Sequence, residues 1–149
     1  MTLRSKFKSS SEKANKGVEI EFRGKDELNS DGSYAVFTLA RQSTQNKKWL
    51  ADVRSFNEKM YEKHGVTGQE KLSDEEKTKR AIELFCNTVL IGWKDFEAEE
   101  DSVKTVFSIE KAIDIFSNPD WNDLYERLST ESGRKENFNI DLMDKMSKN

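Results

Sequence analysis

A chain of 149 residues has the length of one ordinary domain and can bury roughly two-thirds of the surface its unfolded form would expose. Charged residues make up 36% and hydrophobic residues 34%, so apolar side chains must be placed economically and every element should be amphipathic. With 25 basic against 28 acidic side chains the net charge is -3. That excludes a global field for gathering nucleic acid or anionic lipid and leaves another protein as the expected ligand.

Residues 1–17 are basic and serine-rich, carrying Arg4, Lys6, Lys8, Lys13 and Lys16. They hold too little apolar surface to offset the entropy of ordering, so they read as a flexible arm. They also lack the apolar stretch of an export signal, and no later run approaches the roughly 20 apolar residues of a membrane span. Cys86 is the one cysteine, so no internal disulfide can form and nothing points to an oxidising compartment. The expected location is the cytosol.

From Val18 the pattern turns period-two, with Val18, Ile20 and Phe22 alternating with Glu19 and Glu21, as a strand with one wet face requires. Asn29, Asp31 and Gly32 tolerate turn geometry, and Tyr34 to Ala40 is again rich in strand formers, giving a hairpin over residues 18–40. After Asn46 the period becomes helical: Trp49, Val53, Phe56 and Met60 predict a helix over 46–64 that Gly65 ends. Ser73 with Glu76 three residues on is a capping box. It opens a helix over 73–96 whose stripe is Ile82, Phe85, Val89 and Trp93.

The stretch from Phe96 to Thr105 is acidic and reads as an exposed loop. Ser108 caps a helix over 108–117 that buries Ala112, Ile113 and Phe116, until Asn118 and Pro119 stop it. Trp121, Leu124, Tyr125 and Leu128 then recur at helical spacing over 120–132. Residues 134–149 are polar and read as a mobile segment, on which Phe138, Ile140, Leu142, Met143 and Met146 make a sparse apolar face. The expected fold class is α+β, mainly α: one domain over 18–133 in which a two-stranded antiparallel hairpin packs on a bundle of about four helices.

Catalysis requires converging groups of suitable pKa, and few are offered. His64, the single histidine, stands at a helix C-terminus, where capping explains it. One histidine cannot build a zinc site without several thiolates or carboxylates. Cys86 lies among Phe85, Val89 and Leu90 and reads as a buried thiol. The carboxylates of Glu97 to Asp101 lack the glycine turn and terminal glutamate of a calcium loop. No glycine cluster suits a phosphate. The expectation is therefore no enzyme, no metal and no cofactor. Trp49, Trp93 and Trp121 are first of all core candidates, yet a chain this poor in apolar residues that still carries nine Phe has rings to spare for a protein interface.

A run of features in the second half of the chain bears on function. Val89, Leu90, Ile91, Gly92, Trp93 and Lys94 precede an acidic insert. Phe107, Ser108, Ile109, Glu110, Ala112 and Ile113 follow it, then Pro119, Asp120 and Leu124, then Glu131, Ser132, Glu136, Asn137 and Phe138. In order and rough spacing these resemble the tail assembly chaperones of long-tailed bacteriophages. There a helix ending in Gly-Trp leads through an acidic loop to a Ser-x-Glu-capped helix, a Pro-bearing break and a last helix followed by a Phe. The resemblance spans residues 17–138, although this acidic connector lacks the Asp-Gly turn and the Pro often found in the family.

What the resemblance implies is a protein that coats the tape-measure protein in the host cytoplasm, keeps it soluble, helps recruit tail-tube subunits and leaves before the virion is complete. Self-association is a further expectation. The residues expected to grip the partner are Trp49, Phe56, Trp93, Phe96, Trp121, Tyr125 and Phe138. Rival readings are a tail or head-tail connector component that stays in the particle, and a small regulatory nucleic-acid-binding protein using the basic arm, which the acidic balance of the chain argues against.

Overall fold

The structure, a computed structural model, describes residues 2–66, 68–99 and 103–140. Its sheet has three strands, β1 (Val18–Glu21), β2 (Val36–Leu39) and β3 (Leu90–Lys94), in the order β1-β2-β3 and antiparallel throughout. Ile20 lies opposite Phe37, which in turn lies opposite Trp93, so these three side chains share one face. The register shifts between Thr38 and Leu39, where Leu39 pairs with Leu90 and Ile91 is left over as a bulge.

Seven α-helices surround this sheet among the described residues: α1 (Leu3–Phe7), α2 (Ser11–Lys16), α3 (Lys47–His64), α4 (Asp74–Thr88), α5 (Ile109–Phe116), α6 (Asn122–Gly133) and α7 (Lys135–Phe138). The fold is thus mixed helix and strand with a small antiparallel sheet, with more strands and more helices than the hairpin on about four helices expected above. No described helix is long and apolar enough to cross a membrane.

Several boundaries follow local chemistry. Asn46 caps α3 by accepting hydrogen bonds from the Lys48 and Trp49 amides, and Gly65 closes it in the left-handed region at φ 69°. Ser73 and Glu76 form the capping box of α4. The Ser108 hydroxyl accepts from the Lys111 amide at the start of α5, and Pro119 opens a single 3-10 turn before α6.

Other boundaries depart from expectation. Residues 90–94, expected to continue a helix over 73–96, form β3 instead. No Gly or Pro stands between Thr88 and Ile91 to signal a helix end, but Thr88, Val89, Ile91 and Trp93 are β-branched or aromatic, and the open edge of β2 offers them a ladder. Gly92-Trp93, read as a helix end, therefore lies in a strand.

The arm over residues 1–17 is likewise helical over 3–7 and 11–16. The backbone of residues 8–10 pairs with that of 138–140: the Ser10 amide donates to the Phe138 carbonyl at 2.7 Å and the Ile140 amide to the Lys8 carbonyl at 3.0 Å. Ala14, whose carbonyl accepts from the Arg41 amide at 2.9 Å, is fully buried. Residues 134–140, expected to be mobile, are its other half, with Phe138 fully buried. Leu142, Met143 and Met146 lie outside the described residues, as do Glu100 and Asp101.

The core gathers Phe37, Leu39, Phe85, Val89, Leu90, Ala112, Phe116 and Leu128 between the sheet, α4, α5 and α6. Cys86 is fully enclosed in it, and burial pushes its thiol up to about 12, which removes the thiolate at neutral pH. Asn46 is the polar residue this core depends on. Only 1% exposed, it caps α3 and at the same time donates from Nδ2 to the Thr88 carbonyl at 2.8 Å, tying the start of α3 to the end of α4.

Replacing Asn46 with Ala therefore removes a cap and leaves a buried carbonyl unpaired, and should lower stability by about 1–3 kcal/mol. Ser73→Ala in the exposed box of α4 should lower it by about 0.5–1 kcal/mol. Urea unfolding at unchanged m-value measures both, and the order Asn46 above Ser73 is the expected result.

Candidate functional site

The 14 residues that separate β1 from β2, 22–35, leave the sheet and fold back beside the segment that follows β3. Between them and the first turns of α6 lies a cleft of about 370 Å³. Its floor is Phe22, Ala35, Phe37, Phe96, Trp121 and Leu124, and its rim carries Glu27, Asn29, Glu97, Asp123 and Arg127. An apolar concavity with a few convergent polar groups is the usual form of a binding site.

The floor is a chain of rings meeting edge to face. Phe22 and Phe37 have centroids 5.6 Å apart, Phe37 and Phe96 5.2 Å, and Phe96 and Trp121 5.3 Å. Trp93 backs this row at 5.2 Å from Phe96 and donates from Nε1 to the Thr105 carbonyl at 2.8 Å. Such pairs add about 0.5–1.5 kcal/mol each beyond the area they bury, which fixes the rings in place even where one side faces solvent. The Arg127 guanidinium, 5.4 Å from the Phe22 centroid, closes one end and also faces the Glu131 carboxylate at 3.6 Å.

One wall is held by a small polar clamp. Lys104 Nζ donates to Glu97 Oε2 at 2.9 Å and to Ser33 Oγ at 2.9 Å, and lies 3.2 Å from Asp31 Oδ2. Asn29 Nδ2 donates to the Asp95 carbonyl at 2.6 Å, and Ser30 Oγ donates to Glu97 at 3.1 Å. The acidic connector is therefore fastened at both ends, with the Thr105 amide donating to the Phe96 carbonyl at 2.7 Å. The repulsion expected to leave it as a free loop is offset by Lys104 and by the burial of Phe96.

These bonds hold Asp31 down at about 2, chiefly through the Ser33 hydroxyl and amide and then through Lys104. Glu97 is also lowered, mainly by the Lys104 hydrogen bond, and Lys104 is raised, mainly by Glu97. Carboxylates held down in the folded state stabilise it above their ordinary values and lose that contribution as pH falls through the folded ones.

Of the residues expected to grip a partner, Phe96 and Trp121 meet in this cleft with Trp93 directly behind. Tyr125 turns away: its ring packs 5.3 Å from Phe85 in the core, and burial raises its hydroxyl pKa. Trp49 and Phe56 are half-buried on α3 and do not line the cleft; Phe56 lies under the Arg80 guanidinium at 4.1 Å. Phe96 and Phe138 need correcting as free contact residues. Phe96 is 5% exposed because it wedges among Phe37, Trp93 and Trp121, and Phe138 is 0% exposed because the pairing of 8–10 with 138–140 encloses it.

Sequence reading placed Leu124 beside Trp121 on one helical stripe but missed Phe22, Phe37 and Arg127 as lining the same cleft. The only signal for the two Phe residues was the strand alternation that puts Phe22 on the face of Ile20. No family model matches the chain, and neither a curated protein nor a solved structure matches it.

Titration of the carboxyl carbons by NMR should place the Asp31 midpoint near 2, against an ordinary 3.8. Ser33→Ala should raise that midpoint more than Lys104→Met does, whereas Lys104→Met should raise the Glu97 midpoint the more of the two.

Proposed function

We propose that this chain is a tail assembly chaperone of long-tailed bacteriophages, a binding protein that catalyses nothing. It holds apolar helical segments of the tape-measure protein in the host cytoplasm, keeps that protein soluble, helps bring tail-tube subunits to it and is absent from the finished virion. The observation that carries this reading is the apolar cleft in which the half-buried Trp121 and Leu124 lie over the buried rings of Phe22, Phe37 and Phe96. A row of rings fixed by their own contacts, with charge only at the rim, suits an apolar side chain presented by a partner helix.

The arrangement of elements supports the resemblance in part. The acidic connector, the Ser108 cap with Glu110 in its first turn, the Pro119 break, α6 and the Phe138 that follows occur in the family's order. The helix that should end in Gly-Trp is the exception, since that pair lies on β3.

Co-expression with the tape-measure protein is the direct test. The wild-type chain should keep that protein in the soluble fraction. Trp121→Ala should weaken the complex by at least about tenfold, as loss of a central aromatic anchor does. Tyr61→Ala, which removes an exposed ring of α3 outside the cleft, should leave it intact. Mass spectrometry of purified virions should find none of this chain; its presence there at stoichiometric levels would favour a structural tail component.

A further inference from the structure

Strand β1 is an edge of the sheet, and its hydrogen-bonding groups alternate between β2 and the outside. The Phe22 amide donates to the Ala35 carbonyl at 3.3 Å, which makes Phe22 and Ala35 a hydrogen-bonded pair; stepping by two, so are Ile20 with Phe37 and Val18 with Leu39. The amides and carbonyls of Glu19 and Glu21 therefore point out of the sheet, and no described residue bonds to them. The opposite edge is covered: the Thr105 carbonyl takes the Trp93 indole N–H at 2.8 Å, and the Phe107 ring lies 4.8 Å from that of Trp93.

The side chains of β1 alternate as well. Val18 and Ile20 lie half-buried on the core face, and Glu19 and Glu21 are exposed on the other. Glu21 meets Arg23 at 2.7 Å, whereas Glu19 forms no ion pair among the described residues. Neither carboxylate has a charge opposite it on β2, where Glu19 faces Thr38 and Glu21 faces Val36. Lys94 is on the same face but two strands away, at about 10 Å.

We infer that β1 accepts a fourth strand from a partner protein, an extended segment in which apolar residues alternate with Lys or Arg. Its backbone bonds to Glu19 and Glu21 supply the attachment. Its apolar side chains finish the burial of Val18 and Ile20, and its cations lie beside the two carboxylates. A second copy of β1 is the wrong occupant, because antiparallel pairing sets Glu19 and Glu21 against the same two carboxylates. A contact this short falls below the area of stable complexes, so an isolated peptide binds with a Kd of about 0.1–1 mM. This edge is separate from the site assigned above to a partner helix, and its chemistry does not rest on that assignment.

Amide exchange followed by NMR on the full chain provides the test. In the free protein the Glu19 and Glu21 amides should exchange faster than those of Val18 and Ile20, which are bonded to β2. A peptide of about six residues alternating lysine with valine, present at about ten times its Kd, should slow both outward amides about tenfold. Simple attraction of the peptide to the carboxylates would leave them fast. The same peptide with glutamate in place of lysine should bind at least about tenfold more weakly. The double variant Glu19→Lys/Glu21→Lys should reverse that order with far-UV dichroism unchanged, since both side chains are exposed. Glu19→Pro, which removes an outward amide and spares the bonds to β2, should lose the lysine peptide.

Outward amides that stay fast with the lysine peptide at about 10 mM overturn the inference, as does a charge-reversed variant that still prefers lysine. Slow exchange at Glu19 and Glu21 in the free protein overturns it too. If that protection is lost on dilution, a second copy holds the edge; if it is independent of concentration, a segment of the same chain does. The co-expression outcome and these results fail separately.

Discussion

Phe37 is the contact on which the rest of the structure depends. It stands on the central strand, 1% exposed, with Phe22 beyond β1, Trp93 on β3 and Phe96 in the acidic connector arranged around its ring. Through Phe96 the packing reaches Trp121, and so the start of α6. One side chain therefore joins all three strands, the connector and a helix distant in sequence. In a chain with little apolar surface to spend, concentrating large rings at one junction provides more buried area per residue than scattering aliphatic groups.

The same economy gives the cleft its character. A core ring normally has neighbours on every side, but here the row from Phe22 to Trp121 lies under a mouth formed by irregular backbone on one side and the first turns of α6 on the other. Those loops stay in place through polar bonds instead of apolar packing: Lys104 bridges Glu97, Ser33 and Asp31, and Asn29 reaches across to Asp95. A wall held by a few partly exposed ion pairs and hydrogen bonds opens at lower free energy than a wall held by core packing, and binding surfaces that must accept and release a partner are built from such segments. At the other end of the chain the pairing of 8–10 with 138–140, backed by Glu131 and its bonds to Asn137 and Arg134, fixes α1 and α7 as one surface.

Much of the architecture is local, and the sequence by itself determined it. Asn46, Ser73 and Ser108 cap helices because short polar side chains accept from the first free amides of a helix, Gly65 ends one because it enters the left-handed region without strain, and Cys86 is buried because its helical neighbours are apolar. Such signals act over three or four residues and need no partner elsewhere.

Only the tertiary structure decided the rest, and each case involves a partner far along the chain. Residues 90–94 are equally able to be helix or strand until β2 presents an unpaired edge. Residues 3–16 hold too little apolar surface to order themselves and do so against 138–140 and, around Ala14 and Asn15, against residues 41–47. The cleft needs Phe22, Phe37, Phe96 and Trp121 together, from well-separated parts of the chain, and no period within any one element encodes that meeting. A spacing pattern records which face of an element is apolar; which other face it meets depends on chain closure, and that is settled only when the whole core packs.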